Sequence, residues 1–202
     1  MEDHTEVISR VAGSAVLATL VFAASAWADE LVPSGAKAGD LIFREGTELV
    51  SAAVLAVDRG TFSHVGMLVG RPGQWKVAHA TPSEVPGRPD SVVLDDLAFF
   101  LDPKRSRRHA VFRVLQVTNH QRDEAVRAAL KQIGRPFSMD TSEGTYCTTY
   151  VWQSWMDAGK SLEVSFTRLN IPLMQGEYLM PGVLAKSIHL SQIQAGSILR
   201  AQ

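Results

Sequence analysis

Short apolar runs separated by polar turns predict β-strands in the middle of the chain. The runs are LIFR at 41–44, HVGMLVG at 64–70, WKVAHA at 75–80, SVVL at 91–94 and AVFRVL at 110–115. Their length and composition are typical of strands. The second and third runs are joined by Arg71-Pro72-Gly73-Gln74, and a Pro-Gly pair in a four-residue connection predicts a hairpin turn.

Helical spacing and helix-start signals predict helices around these strands. They are expected over 47–57, over 95–101, between Thr118 and Gly134, from a cap at Thr145 to Gly159, and after Pro181. In the first helix, Leu49, Ala53, Val54 and Val57 share one face. Strands clustered in the middle with helices outside them predict an α+β domain, in which an antiparallel sheet packs against helices.

The first 28 residues differ in composition from the rest. The uncharged run VAGSAVLATLVFAASAWA ends in Ala26-Trp27-Ala28, a small-x-small pattern typical of a signal-peptidase site. We therefore expect a cleaved signal peptide over 1–28, one domain over 29–202, and an exported protein, periplasmic or extracellular. Three acidic residues precede the run, so an uncleaved leader that anchors the protein to the inner membrane is the alternative.

Composition and charge exclude several classes of function. The chain has 202 residues, 46% apolar and 20% charged, which favours one globular domain over extensive disorder. A formal net charge of −1 gives no electrostatic reason to expect a nucleic-acid partner. The basic run from Lys104 to Arg108 is expected to be an exposed loop, or otherwise a transient contact with the cell wall or a membrane surface.

The chain contains one cysteine, so no internal disulfide forms. A lone thiol in an exported protein is either buried and inert or retained because it reacts. Cys147 falls in the first turn of the helix predicted from Thr145. There, unpaired backbone N–H groups and the helix dipole favour an anion and are expected to lower the pKa of the thiol. The same groups suit an oxyanion; the alternative is a small apolar core residue.

A cysteine nucleophile needs an imidazole to take and return its proton. His64 and His79 lie on the two strands of the predicted hairpin, both in apolar surroundings, and can point towards one site. A single strand histidine is more commonly a core residue with satisfied hydrogen bonds. Two of them beside a lone helix-start cysteine favour a Cys-His-His site. No recognisable zinc spacing is present, so neither a metal nor a cofactor is expected.

Four segments together carry a family resemblance. GDLIFR, SHVGMLVG, WKVAHATP and GRPFSMDTSEGTYCTTYVW resemble, in order and spacing, the circularly permuted papain-like amidases of the YiiX/YaeF type, relatives of the NlpC-type cell-wall cysteine peptidases. The resemblance covers roughly residues 39–185 and implies a permuted papain-like (NlpC-type) fold with the nucleophile at a helix N-terminus. It also implies Cys147 as the nucleophile and His64 as the general base.

The sequence departs from this family at two points. Where YiiX-type proteins typically place a Glu after the second hairpin strand, this chain has His79, which the NlpC-type peptidases use to orient the base. The family's Tyr-Cys-Ser-Glu run reads Tyr-Cys-Thr-Thr here, so substrate specificity is expected to differ. Tyr146 and Thr148, which flank the cysteine, are candidates for contacting the substrate or the oxyanion.

The hairpin also resembles the lecithin-retinol acyltransferase relatives, which share a permuted fold and a His-His-Cys set. Their Asn-Cys-Glu-His-Phe run is absent, because Cys147 stands between Tyr146 and Thr148. The leading hypothesis is therefore an exported cysteine amidase or peptidase that acts on a cell-wall or related small peptide. A lipid or thioester acyl hydrolase or acyltransferase, and a non-catalytic module that binds a peptide or an amino acid, are the alternatives.

Overall fold

A six-stranded antiparallel sheet forms the centre of the structure, a computed structural model that describes residues 31–139, 144–171 and 174–194. Its strand order is β4-β3-β2-β1-β5-β8, and β6 and β7 form a separate hairpin. The strands are β1 (Leu41–Gly46), β2 (His64–Val69), β3 (Lys76–Thr81), β4 (Ser91–Asp96), β5 (Ser106–Val114), β6 (Thr167–Ile171), β7 (Met174–Tyr178) and β8 (Leu190–Ile193). The predicted strands are all present, and the α+β class is confirmed.

Five helices are found within the described residues. They are α1 (Leu49–Asp58), α2 (Leu97–Phe100), α3 (Asn119–Lys131), α4 (Cys147–Asp157) and α5 (Pro181–Ala185). The capping box predicted at Thr118 and Gln121 is formed. None of the described helices combines the length and apolar character that crossing a bilayer requires. The predicted leader lies outside the described residues, so the division into leader and domain stays a prediction.

Each face of the sheet buries its own apolar cluster. On one face, Leu41, Phe43 and Met67 pack with buried residues of α3 and α4, including Tyr150 and Trp155. On the other face, sheet side chains pack against α2 and the segment before β1; this second cluster includes Ile42, Leu68, Val77, Leu97 and Phe100. Because alternate residues of a strand point to opposite faces, β1 to β3 need apolar residues at nearly every position. Two covered faces therefore explain the continuous apolar runs of the sequence.

Helix α1 differs from its prediction in the face that it buries. Ser51 is its only fully buried residue, whereas Leu49 is 92% exposed. Ser51 donates a hydrogen bond to Glu48 (Oγ to Oε2, 3.0 Å), and Val54 and Val57 are half-buried against the cluster around Tyr146, Tyr178 and Met180. The helix is therefore attached to the domain along a narrow strip and leaves much of its apolar surface open.

Three elements were not anticipated by the sequence patterns. The β6–β7 hairpin and β8 are additional strands, and the basic run is only partly a loop, since Ser106 to Arg108 begin β5. Arg107 and Arg108 point outwards and pair with Glu45 of β1. Pairing along β1 and β5 therefore extends the sheet beyond the apolar part of the sequence.

Candidate active site

Cys147 lies at the point where α4 meets the sheet. It is the first residue of that helix, and the cap is Tyr146 rather than the predicted Thr145, because Tyr146 N–H donates to the Thr149 hydroxyl (3.2 Å). The buried side chains Tyr150 and Trp155 pack α4 on the sheet, which fixes the helix N-terminus beside β2. Cys147 and His64 line the same cavity of about 320 Å³.

Burial decides the charge state of the Cys147 thiol. Loss of solvent raises its pKa to about 11, although backbone N–H groups of Val65 and Thr148 and the nearby charge of Arg44 act in the opposite direction. The N–H groups at the start of α4 act in the expected direction, but desolvation penalises the thiolate more than they stabilise it, so the expected net lowering of this pKa is not found. The resting residue is a neutral thiol.

His64 and His79 form a direct hydrogen-bonded pair. Nε2 of His64 lies 2.9 Å from Nδ1 of His79, and both rings pack on Phe100. The strands allow this contact because Gly66 stands between the two side chains. A Cβ at Gly66 would lie 2.4 Å from Val77 Cγ1 and 3.1 Å from His79 Cβ, so a larger residue would disturb the register that brings the rings together.

Asp95 of β4 extends the pair to a third group. Its Oδ2 lies 3.2 Å from His79 Nε2, and both of its oxygens accept hydrogen bonds from Arg88, at 2.6 and 3.2 Å. Partial burial opposes the charge of Asp95, but the hydrogen bonds from His79 and Arg88 outweigh it and hold the pKa of this carboxyl at about 2. Asp95 is therefore ionised at neutral pH.

An ionised Asp95 fixes the tautomer of both histidines. A carboxylate only accepts hydrogen bonds, so His79 must donate from Nε2. A neutral His79 then has a lone pair on Nδ1 and accepts from His64 Nε2–H, which leaves the lone pair of His64 on Nδ1. Burial, followed by the Arg44 charge, lowers the pKa of His64 well below 6.5, and burial also lowers the pKa of His79. The resting His64 is thus a neutral imidazole with its lone pair on Nδ1.

A buried ion pair lies next to the histidines. Arg44 is 1% exposed and Glu84 is 6% exposed at its side chain, and Nη2 of Arg44 lies 2.5 Å from Oε1 of Glu84. Arg44 also donates to the Phe100 carbonyl (2.8 Å), while its Nε has no hydrogen-bond partner among the described residues. Both charged residues line the cavity, and the positive charge disfavours protonation of His64.

The two residues that flank Cys147 make contacts of their own. The Tyr146 hydroxyl accepts a hydrogen bond from Leu179 N–H (2.8 Å), and the Thr148 hydroxyl donates to the Leu179 carbonyl (2.6 Å). Both residues line the cavity, and they tie the start of α4 to the segment that follows β7. Their predicted contact with substrate or oxyanion stays a prediction.

One group of side chains has the donor atoms of a metal site. Among the described residues, one ligand atom each of His64, His79 and Glu84 lie within 4.8 Å of one another. These donors are already engaged, since the two rings bond to each other and Glu84 bonds to Arg44. A cation at this point would also meet the Arg44 guanidinium. The arrangement does not fit a resident metal.

The structure therefore places Cys147 and His64 on one cavity and joins His64 to His79 by a hydrogen bond, and it adds groups that the sequence analysis missed. Asp95 could have been found from its spacing, because Asp95 and Val93 share a strand face and Val93 lies opposite His79. Glu84 follows β3 by three residues, at the kind of position where the family resemblance places a Glu, and that signal was overlooked, whereas Arg44 gave no signal. A charged residue on a short strand or in a turn is usually solvated, and these two are 40 residues apart in the chain.

Comparison with known proteins agrees with this architecture. The family model described as permuted papain-like amidase enzyme, YaeF/YiiX, C92 family, matches residues 35–176, more than half of the chain. Among solved structures, the metalloprotein yiiX from Escherichia coli O157:H7 (DUF1105) superposes with a TM-score of 0.65 at 19% identity, covering 79% of this chain and 97% of that chain. No curated protein matches significantly. The permuted papain-like fold is confirmed, and the chain belongs to the C92 family of permuted papain-like amidases.

Proposed function

We propose that the protein is a cysteine hydrolase that cleaves an amide bond, with Cys147 as nucleophile, His64 as general base and His79 as the residue that orients the base. The observation that carries this proposal is the chain of hydrogen bonds from Asp95 through His79 to His64, which leaves the lone pair of His64 on Nδ1 beside a cavity shared with Cys147. Membership of an amidase family supports the same reaction class.

The neutral resting pair defines the first chemical step. As Sγ of Cys147 attacks the amide carbonyl carbon, the thiol proton passes to Nδ1 of His64, and the carbonyl electrons move onto oxygen. Backbone N–H groups at the start of α4 stabilise this oxyanion. His64 then protonates the leaving amine, the C–N bond breaks, and a thioester on Cys147 remains.

The second step returns the enzyme to its resting state. Water attacks the thioester carbonyl while Nδ1 of His64 accepts a proton from the water. The C–S bond then breaks, the acid product leaves, and His64 returns the proton to the sulfur of Cys147. The imidazolium that forms in each step is stabilised through His79 by the Asp95 carboxylate, since opposite charges linked by hydrogen bonds are favoured in a buried site.

The proposed compartment is outside the cytoplasm. The apolar run that ends in Ala26-Trp27-Ala28 supports export, and a cell-wall or related small peptide is the substrate expected in that location. Fractionation of cells that produce the full chain, followed by N-terminal sequencing, tests this point. Recovery of an uncleaved chain in the membrane fraction would support the anchored alternative instead.

The proposed reaction needs no metal. The structural relative yiiX is described as a metalloprotein, but the candidate donors of this chain are held by one another and by Arg44. We expect a chelator to leave the activity unchanged and added Zn²⁺ to inhibit by capturing His64 and Cys147. Loss of activity on chelation, restored by one metal ion, would contradict the mechanism.

A comparison of wild type with Cys147→Ala tests the proposed function directly. Both proteins are incubated with a panel of peptide amides, N-acyl amides and acyl thioesters, and product is followed by mass spectrometry. We expect turnover by wild type and a loss on the order of 10³-fold or more in the variant. A thioester adduct on Cys147 should be trapped at early times. If nothing is consumed in a Cys147-dependent way, the non-catalytic binding module becomes the better hypothesis.

A further inference from the structure

The connection between β3 and β4, residues 82–90, is a loop held by its own hydrogen bonds. The Ser83 N–H donates to Asp90 Oδ1 (2.8 Å), which joins the two ends of the loop. Within the loop, the Arg88 N–H donates to the Val85 carbonyl (3.1 Å). Bonds of this kind define the turns of a loop, so Arg88 is held at a fixed position beside β4.

Arg88 reaches from this loop to Asp95 with both terminal nitrogens of its guanidinium. Nη1 lies 2.6 Å from Oδ1 and Nη2 lies 3.2 Å from Oδ2, and a bidentate pair of this kind fixes orientation as well as distance. The guanidinium carbon also lies 5.7 Å from the centre of the Phe99 ring. Because 22% of the Arg88 side chain is exposed, solvent screens this pair less than it screens a pair on the open surface.

The orientation of His79 depends on this ion pair. Oδ2 of Asp95 accepts hydrogen bonds from Arg88 Nη2 and from His79 Nε2, at 3.2 Å each, so the place of this oxygen sets the place of the ring. His79 in turn bonds to His64 (2.9 Å). Three consecutive hydrogen bonds therefore link Arg88 to the proposed general base.

From these contacts we infer that Arg88 is a positioning residue of the proposed reaction, which acts on His64 through Asp95 and His79. The inference rests on the proposed function, because it concerns the base of that reaction. Arg88 itself gives up no proton, since a guanidinium stays charged. Among the described residues that line the cavity, Arg88 is absent, so its effect falls on the base and not on contact with the substrate.

The positive charge of Arg88 also limits how strongly Asp95 favours a protonated histidine. The other charged or titratable groups next to the histidine pair lie on β1, before α1, in the loop and at the start of α4; they are Arg44, Glu48, Glu84, Tyr146 and Cys147. Without Arg88, Asp95 keeps His79 as its one side-chain partner among the described residues. Protonation of the histidine pair is then easier and begins at higher pH.

Steady-state kinetics of Arg88→Met and Arg88→Lys, with N-acetyl-alanyl para-nitroanilide as the probe, tests the inference. For Arg88→Met we expect kcat to fall by about tenfold with KM unchanged, and the acid limb of the pH–rate profile to move to higher pH. Lysine keeps the charge but not the planar pair of donors, so Arg88→Lys should restore the acid limb and only part of kcat. An unchanged pH–rate profile in Arg88→Met, or wild-type kcat in Arg88→Lys, overturns the inference.

The matched control is Arg105→Met. The Arg105 guanidinium carbon lies 3.8 Å from the centre of the same Phe99 ring, and its carboxylate partners are Glu84 and Asp102 instead of Asp95. This variant removes a positive charge from the same region without touching the chain of hydrogen bonds, so it should keep the wild-type acid limb. An equal shift in both methionine variants would assign the effect to general charge and reject the role of Arg88.

Nitrogen NMR of the histidine rings tests the same link in the resting protein, without turnover. In the wild type, His64 and His79 should each show one tautomer, with the proton on Nε2. In Arg88→Met, His79 should populate both tautomers, and both rings should titrate at higher pH. Unchanged ring signals overturn the inference. Changed signals without any Cys147-dependent turnover overturn the proposed function and leave the positioning of His64 by Arg88 standing.

Discussion

The cavity beside Cys147 has a polar wall, which includes Arg44, His64 and Glu84, and an apolar wall, which includes Leu49, Val54 and Met180. The two walls differ in how their side chains are held. On the polar wall, the Arg44 guanidinium is 1% exposed and bonded to Glu84, and behind this wall His79 is wholly buried between His64 and Asp95. On the apolar wall, α1 has one fully buried residue, and its first side chain, Leu49, is 92% exposed.

This difference suggests different roles for the two walls, with the reacting groups on the polar wall and contacts that select the substrate on the apolar wall. A chain of hydrogen bonds holds only if each donor meets its acceptor, and buried polar groups that lose a partner are costly. The polar wall therefore tolerates little movement. Apolar contact is non-directional, so a small displacement of α1 still leaves apolar side chains lining this side of the cavity. We therefore expect substitutions on the polar side to affect stability and rate, and substitutions on the apolar side to affect mainly the choice of substrate.

The largest effect is expected from Arg44→Met. This change leaves the buried Glu84 without its main partner, and breaking such a pair costs about 3 kcal/mol of unfolding free energy or more. Urea unfolding measures it. The double variant Arg44→Met/Glu84→Gln should recover part of the loss. The control is Arg107→Met, which breaks an exposed pair with Glu45 and should change stability by less than about 1 kcal/mol. Equal losses of unfolding free energy in Arg44→Met and Arg107→Met would contradict the expected difference between a buried and an exposed ion pair.

The second-largest effect is expected from Asp95→Asn. The amide keeps the shape of the side chain but no longer fixes the tautomer of His79 or stabilises an imidazolium, so kcat/KM should fall by about 10²-fold. The matched control is Asp96→Asn at the neighbouring position, where the carboxylate is 71% exposed and pairs with Lys76. A changed pH–rate profile in Asp95→Asn alone would show a positioning role. If both variants lower kcat/KM equally, Asp95 has no positioning role.

A pH dependence of stability follows from the two buried histidines. Their folded pKa values lie below 6.5, whereas the unfolded chain titrates near about 6.5. Below that pH the unfolded state binds more protons, so stability is full above about pH 6.5 and falls as the pH decreases towards the folded pKa values. Urea unfolding at several pH values measures the slope. His79→Asn should reduce it, and His120→Asn, at an exposed position of α3, should not.

The smallest effect is expected from Leu49→Ala. Its side chain has little to lose on the exposed end of α1, so the unfolding free energy should change by less than about 0.5 kcal/mol. Leu184→Ala is the matched change at a fully buried position of α5 and should cost about 2 to 5 kcal/mol. A loss of unfolding free energy for Leu49→Ala as large as that for Leu184→Ala would contradict the exposed position of Leu49.

Many helices and strands could be predicted from residues that are close together in the sequence. The apolar runs of β1 to β5 and the Thr118–Gln121 capping box depend on residues close together in the chain, and so does the start of α4 near Cys147. The pairing of β8 with β5 joins residues about 80 apart, and no local pattern carries that information. The exposure of Leu49 was missed for a similar reason, because helical spacing shows which residues share a face and not which face meets the protein.

The candidate site likewise has features that the sequence predicts and features that only the structure shows. Sequence alone singled out Cys147, His64 and His79 as the candidate residues, because nucleophiles and bases are recognisable by type and position. Only the tertiary structure showed that Asp95 is hydrogen-bonded to His79 and that burial raises the pKa of the Cys147 thiol. Hydrogen-bond partners and desolvation depend on which distant segments surround a side chain, and that is settled when the sheet, α4 and the apolar wall close around the cavity.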